Sequence, residues 1–166
     1  MKSDIELTAD FKRGDRAAFH KLFRRHHMGL LNFFYRLAGD LSKAEDLAEL
    51  VFLKVYADRG QIKVETPFKF STYLYRVGHL VWLELPNRNQ MPRRDSKSGD
   101  DEIMAVLRNL PEDLRTVLIL CEMNGLTYRE TASVTGLAEI EVRRRMNDAF
   151  GHLRSQLPAQ AGLNAG

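Results

Sequence analysis

Residues 126–150 constrain the fold more than any other stretch, because they have the pattern of two short helices joined by a tight turn. Their sequence is LTYRETASVTGLAEIEVRRRMNDAF. The first helix is predicted over residues 128–134, where the small Ala132 lets a second helix approach closely. Gly136 follows and supplies the positive φ that a sharp turn between helices requires. The pattern predicts a helix-turn-helix.

The second helix of this pair is predicted over residues 138–157. Its apolar residues recur at helical spacing on one face: Val142, Met146, Phe150, Leu153 and Leu157. The outer face carries Arg143, Arg144 and Arg145. In a helix-turn-helix the first turns of the second helix enter the major groove, where arginine bonds guanine or holds a phosphate. The alternative is an ordinary helical hairpin with a solvated basic face.

Length and composition indicate two small helical domains. The chain has 166 residues, of which 44% are hydrophobic and 28% charged. No apolar run approaches the ~20 residues of a membrane span, and the first residues lack the apolar segment of a secretory signal. We therefore expect a soluble, cytoplasmic protein without membrane insertion. Its single cysteine, Cys121, is expected to be a buried thiol, with no disulfide within one chain.

The charge is unevenly distributed. Residues 1–90 have a net charge of +4 and residues 91–166 a net charge of −1, which gives +3 for the chain. The half with the helix-turn-helix is therefore not basic overall. Any affinity for DNA must come from local clusters of cations and from a partner.

Residues 16–38 form a predicted amphipathic helix with an aromatic-rich face. His20, His26 and His27 lie in it, but no Cys, Asp or Glu stands beside them at the spacing of metal ligands. We expect no metal site, no cofactor and no catalytic residues, so the chain is not predicted to be an enzyme. Ser42 and Glu45 predict a capping box that begins the next helix.

The next helix, predicted over residues 42–59, has an informative outer face. Two carboxylates and two leucines share it at positions i, i+3, i+4 and i+7: Asp46, Glu49, Leu50 and Leu53. An acidic face with exposed leucines favours a docking surface for a basic partner. Alternatively, the leucines pack on a neighbouring helix.

A third helix is predicted over residues 68–85 and ends before Pro86. Opposite its apolar stripe lie polar and apolar residues flanked by two aromatic ones: Arg76, His79, Leu80 and Leu83, with Tyr73 and Trp82. Aromatic residues among Arg and His can stack on and hold unpaired bases. They are equally compatible with ordinary packing, because a lone tryptophan usually belongs to a core.

The segment after Pro86 divides the chain. Residues 87–101 lack apolar periodicity and are rich in Pro, Ser, Asn and charge, which predicts a flexible linker. Residues 1–86 then form one helical domain and residues 102–158 a second. Residues 159–166 are expected to be a disordered tail.

Several segments, in this order and spacing, resemble the extracytoplasmic-function (ECF) sigma factors of bacterial RNA polymerase. They are FKRGDRAAFHKLFRRH, AEDLAELVFLKVY, FSTYLYRV, NLPEDLRTVLIL and GLTYRETASVTGLAEIEVRRRM. The resemblance implies an all-α fold with sigma region 2, a linker and sigma region 4. It also implies binding to core polymerase through the β′ clamp helices and the β flap, recognition of promoter DNA, and an anti-sigma factor as regulator.

The resemblance assigns site residues by position. Polymerase binding falls on Asp46, Glu49, Leu50 and Leu53. Binding of the downstream (minus-ten) promoter element is assigned to Tyr73, Arg76, His79, Leu80, Trp82 and Arg88. Binding of the upstream (minus-thirty-five) element is assigned to Tyr128, Arg129, Glu139, Glu141, Arg143, Arg144 and Arg145.

The chain departs from the family pattern at a few positions. Leu50 replaces a usual acidic residue, Leu80 a usual asparagine and Asp148 a usual basic residue, while Pro86 interrupts a helix that normally continues. Asp148 is expected to face phosphates or to pair with Arg144 or Arg145. Leu80 and Pro86 favour one alternative, a sigma-like mimic that binds partners but melts promoters poorly. A second alternative, a stand-alone helix-turn-helix regulator, leaves the acidic and leucine face of residues 46–53 unexplained.

Overall fold

The structure, a computed structural model, describes residues 1–64, 67, 69–88, 90 and 99–156. This part of the chain is helical and contains no strand. The helices are α1 (Asp4–Lys12), α2 (Arg16–Ala38), α3 (Leu41–Ala57), α4 (Phe70–Leu83), α5 (Gly99–Asn109), α6 (Glu112–Leu118), α7 (Tyr128–Thr135) and α8 (Glu139–Gln156). Within the described residues, no helix is both long enough and apolar enough to cross a lipid bilayer.

The first domain is built around the long helix α2, against which α1, α3 and α4 pack. Asp15 begins α2 by accepting hydrogen bonds from the backbone N–H groups of Ala17 and Ala18. Gly39, with φ of +70°, ends the helix in the left-handed conformation. The predicted bounds of this helix are therefore confirmed. Its buried face forms the core with aromatic side chains from α4.

Two details of this domain differ from the expectation. Helix α1 was not predicted, although Ser3 and Glu6 form the capping box that begins it. The capping box expected at Ser42 is wrong, because α3 begins one residue earlier. Asp40 caps it by accepting a hydrogen bond from the backbone N–H of Lys43, and this places Ser42 inside the first turn.

The second domain contains the predicted helix-turn-helix. The Thr127 hydroxyl caps α7, and Gly136, with φ of +77°, makes the turn to α8 as expected. Helix α6 continues into a wider turn of helix, Ile119–Met123. The buried apolar residues of this domain include Leu114, Val117, Leu118, Val134, Val142 and Met146. Val142 and Met146 belong to the predicted apolar face of α8.

The connection between the domains lies partly outside the described residues. Of the predicted linker 87–101, residues 89 and 91–98 are not described, nor is the predicted tail 159–166. Helix α4 ends at Leu83, before Pro86, and Asn87 has a φ of +56°. Helix α5 begins at Gly99, inside the range predicted as linker.

The two domains contact each other, which the sequence did not predict. The Asn124 side-chain amide, in the second domain, donates hydrogen bonds of 3.0 Å to the Gly29 carbonyl and 2.9 Å to the Tyr75 hydroxyl. Helix α4 also packs along α7. Polar groups therefore join two surfaces that are far apart in the sequence.

Gly29 allows this contact, and its substitution tests it. A Cβ atom at Gly29 would lie 2.5 Å from the Tyr75 hydroxyl oxygen, whereas one at Gly151, also inside a helix, would meet nothing within 4 Å. We expect Gly29→Ala to lower the free energy of unfolding by about 1–3 kcal/mol, because the phenol must move. Gly151→Ala should raise it by about 0.5–1 kcal/mol. Thermal and urea unfolding of both variants measure the difference, and equal effects would contradict this packing.

Candidate functional site

The outer face of α3 is open to solvent. Asp46 and Glu49 are exposed, and the side chains of Leu50 and Leu53 are 41% and 61% exposed. The alternative in which both leucines pack on a neighbouring helix is therefore wrong within the described chain. Acidic groups and leucines together form a continuous outward surface, which we call the α3 face (Asp46, Glu49, Leu50 and Leu53).

An apolar groove adjoins the α3 face, between α2 and α3. Its volume is about 490 Å³, and its walls include Phe19, Phe23, Phe52 and Tyr56. Glu49 and Leu53 belong both to the groove and to the α3 face. A partner helix lying across α3 could therefore place a large apolar side chain in the groove while its basic groups meet the carboxylates.

The outer arginines of α8 differ in how their charge is balanced. Arg144 lies 2.6 Å from a Glu141 carboxylate oxygen and 2.8 Å from one of Asp148. Arg145 lies 3.0 Å from Glu141. The predicted pairing of Asp148 with Arg144 is confirmed. The pairing of Glu141 was not predicted, although its spacing of three and four residues from these arginines is visible in the sequence.

These ion pairs hold the Glu141 carboxylate in its charged form. Hydrogen bonds from Arg144 and Arg145 lower the pKa of Glu141 to about 2. The carboxylate therefore stays ionised at neutral pH and continues to neutralise the arginines. Arg143 is exposed and forms no ion pair among the described residues. Its guanidinium lies 5.9 Å from the centre of the Tyr128 ring. Of Arg143, Arg144 and Arg145, Arg143 is therefore the one most available to an anion.

The residues predicted for the downstream element are distributed over different environments. Leu80 is 55% exposed, Tyr73 is half-buried, and Trp82 is fully buried. The prediction that Trp82 contacts DNA is corrected by this burial, because its ring belongs to the core of the first domain. Trp82 is therefore an ordinary core residue, which was the alternative interpretation of its position in the sequence.

Three further residues of this group contact the second domain. Arg76 donates hydrogen bonds to the carbonyl and hydroxyl oxygens of Ser133 in α7, the first at 3.0 Å. Arg88 lies 2.8 Å from a carboxylate oxygen of Glu112 in α6. His79 is buried, with hydrogen bonding to the Val134 backbone, and burial lowers its pKa. In this arrangement, which we call closed, the three polar side chains are bound by residues of the second domain.

No grouping of three or more metal-binding side chains occurs in the part of the chain that the structure describes. The half-buried Cys121 has its sulfur 3.2 Å from the Thr131 hydroxyl oxygen. Burial raises the pKa of this thiol. At neutral pH it is therefore protonated and a poor nucleophile.

Comparison with known families and curated proteins identifies the two domains. The family described as Sigma-70 region 2 matches residues 22–90, and Sigma-70, region 4 matches residues 100–153. The RNA polymerase sigma-H factor of Pseudomonas aeruginosa is 30% identical, over 88% of this chain and 89% of its own length. The ECF RNA polymerase sigma factor SigE of Mycolicibacterium smegmatis is 27% identical, over 92% of this chain and 67% of its own length.

Solved structures show the same fold. CnrH, solved in complex with the cytosolic domain of CnrY, matches with a TM-score of 0.82 and 22% identity over 93% of this chain and 96% of CnrH. RpoE of Bartonella quintana, solved with the anti-sigma factor NepR, has a TM-score of 0.70 and 19% identity over 82% of this chain and 94% of its own.

The balance of charge on α8 can be tested with Glu141→Gln. Removing this carboxylate should release Arg145 toward phosphates and leave Arg144 paired with Asp148 alone, so that affinity for duplex DNA rises and the salt dependence of binding steepens by about one unit. Glu122→Gln is the matched control, since it removes an exposed carboxylate of the same domain that makes no ion pair among the described residues and is not assigned to DNA binding. Fluorescence anisotropy at several salt concentrations measures both variants. Equal gains for the two would show that only net charge matters.

Proposed function

The chain belongs to the ECF group of the sigma-70 family, and from this premise we propose that its α3 face docks on core RNA polymerase while two further surfaces engage promoter DNA. As an ECF sigma factor it binds core polymerase and directs promoter recognition and transcription initiation. Family members have no catalysis of their own, and the polymerase performs the chemistry. We place its action in the cytoplasm, where the polymerase is.

The exposure of the α3 face is the single observation that carries this proposal. Leucines in solvent are costly for a chain that could bury them, and here they stand beside Asp46 and Glu49. From the resemblance to the family, we propose that the β′ clamp helices dock on this face. A basic helix of the polymerase would pair with the carboxylates and cover the leucines. Leu50 then adds apolar contact where the family usually has a charge.

Promoter recognition is assigned to the helix-turn-helix. Arg143 and Arg129 are exposed, and neither forms an ion pair among the described residues. Both are suited to contact the bases or phosphates of the upstream element. Glu139 is likewise exposed on the first turn of α8. The same domain would bind the β flap.

Contact with the downstream element requires the two domains to separate. Arg76, His79 and Arg88 are the polar groups expected to hold the melted strand, and in the closed arrangement Ser133, Val134 and Glu112 occupy them. We propose that binding to polymerase draws α7 away from α4. An anti-sigma factor would oppose this step by keeping the domains together. The structural relative RpoE was solved in complex with one such factor, NepR.

A transcription assay tests the proposed function. Core polymerase with the purified chain should initiate from DNA upstream of the protein's own operon, and core polymerase alone should not. Failure of initiation with normal binding to polymerase would favour the sigma-like mimic. The observation that favours that alternative is Leu80, which is exposed but offers no hydrogen bond to a base.

Docking through the α3 face predicts the effect of charge reversal. Asp46→Lys combined with Glu49→Lys should weaken binding to core polymerase at least tenfold, about 1.4 kcal/mol or more, because like charges then meet. Leu50→Glu, which restores the usual family charge, should bind equally well or better. Titration of labelled protein with core polymerase measures the affinity of the unaltered protein, the double variant and Leu50→Glu. Circular dichroism verifies that each is folded. Unchanged affinity of the double variant would rule out this face.

Melting can be tested at Leu80. Leu80→Asn supplies a donor and an acceptor toward an unstacked base, and should increase open-complex formation. Leu83→Asn is the matched control, because Leu83 is also exposed, at 41%, near the end of the same helix. A fluorescent base in the downstream element reports opening. If the unaltered protein melts this DNA well and Leu80→Asn impairs melting, the prediction is wrong. Leu80 then contributes to promoter melting by a different mode of contact.

A further inference from the structure

A basic cavity lies where α4 meets α7. Its volume is about 480 Å³, and both domains contribute side chains. The charged and aromatic residues that line it are Lys63, Lys69, Tyr73 and Arg76 from the first domain, with Arg129 and Glu130 from the second. The cavity is complete only while the two domains are in contact.

Among the residues that the structure describes, the cations of this cavity outnumber the carboxylates. Of its four cationic side chains, Lys69 alone has a carboxylate partner among the described residues, Glu130 at 2.9 Å. Arg76 donates to neutral oxygens of Ser133, which leave its charge in place. Lys63 and Arg129 are exposed and form no ion pair among the described residues. Closing the domains therefore brings like charges together, at a cost that a bound anion would remove.

The arrangement suits an anion with several phosphates. Cations that enter from both sides can each meet a different phosphate, and the arginines can do so bidentately. The backbone at the start of α4 adds to the positive potential, since Lys69 at its N-cap makes no side-chain capping bond. Tyr73 offers an aromatic ring in the same cavity. The volume is in the usual range for small-molecule sites.

We propose that this cavity binds a polyphosphate anion, such as a nucleoside polyphosphate, which bridges the two domains and stabilises the closed arrangement. Lys63, Lys69 and Arg76 hold the phosphates from one side and Arg129 from the other. A ligand that binds only the closed form shifts the equilibrium by mass action, so that at ten times its Kd the ratio of closed to open molecules rises about elevenfold. The same ligand competes with DNA, because Arg76 cannot serve both.

Calorimetric titration of the full-length protein tests the proposal at constant ionic strength. The probes are inorganic tripolyphosphate and GTP, with chloride as the background anion. Saturable binding of tripolyphosphate is expected, together with a smaller radius of gyration by X-ray scattering. Equal affinities would identify the phosphate chain as sufficient, and tighter GTP binding would add stacking on Tyr73. Both results support the site.

Two matched variants separate a site from general attraction. Lys63→Ala with Arg129→Ala removes two exposed lining cations and should weaken tripolyphosphate binding about tenfold or more. Lys21→Ala with Arg24→Ala removes two exposed cations of α2 that do not line the cavity, and should leave binding unchanged. Absence of saturable binding, equal losses in both variants, or binding of oligothymidylate alone would overturn the proposal. Since no polymerase or promoter is present, such a failure leaves the proposed function standing.

Discussion

Helix α4 is held from two sides, and this constraint determines which states the chain can adopt. On one side Leu74, Val81 and Trp82 are buried in the core of the first domain. On the other side Arg76 and His79 are engaged by α7. Apolar burial stabilises the packing of α4 in the first domain. The polar contacts are weaker in water and can be exchanged for contacts with DNA or with a ligand.

The chain also limits its own affinity for DNA. Glu141 and Asp148 neutralise Arg144, and Glu112 pairs with Arg88. Cations that could attract phosphates are thus partly compensated within the protein. This agrees with the low net charge of the second half of the sequence. Specific promoter binding then depends on placement by the polymerase as well as on protein–DNA contacts.

Much of the fold follows from the sequence, because helical periodicity and glycine stops are local signals. The bounds of α2 and the turn at Gly136 were accessible to such reasoning. For the leucines of the α3 face, the sequence left exposure and packing on a neighbouring helix as alternatives, and the structure shows exposure. The start of α3 was missed because two capping residues, Asp40 and Ser42, stand within one turn of each other and the sequence does not rank them.

The contact between the domains could not be predicted in this way. Asn124 meets the carbonyl of Gly29, 95 positions away, and neither residue type signals such a contact. The same holds for the basic cavity, whose lysines and arginines look like ordinary surface charges until α4 and α7 are brought together. For Trp82, packing took precedence over the aromatic pattern that suggested base stacking.

The central claim is that the closed protein opens on core polymerase. Fluorescence energy transfer tests it with dyes on Lys21→Cys in α2 and Arg154→Cys in α8, in a Cys121→Ser background that keeps a hydroxyl near Thr131. The account predicts one high-transfer population for the free protein and a shift to lower transfer when core polymerase is added. An unchanged transfer efficiency in a complex that initiates transcription would contradict it.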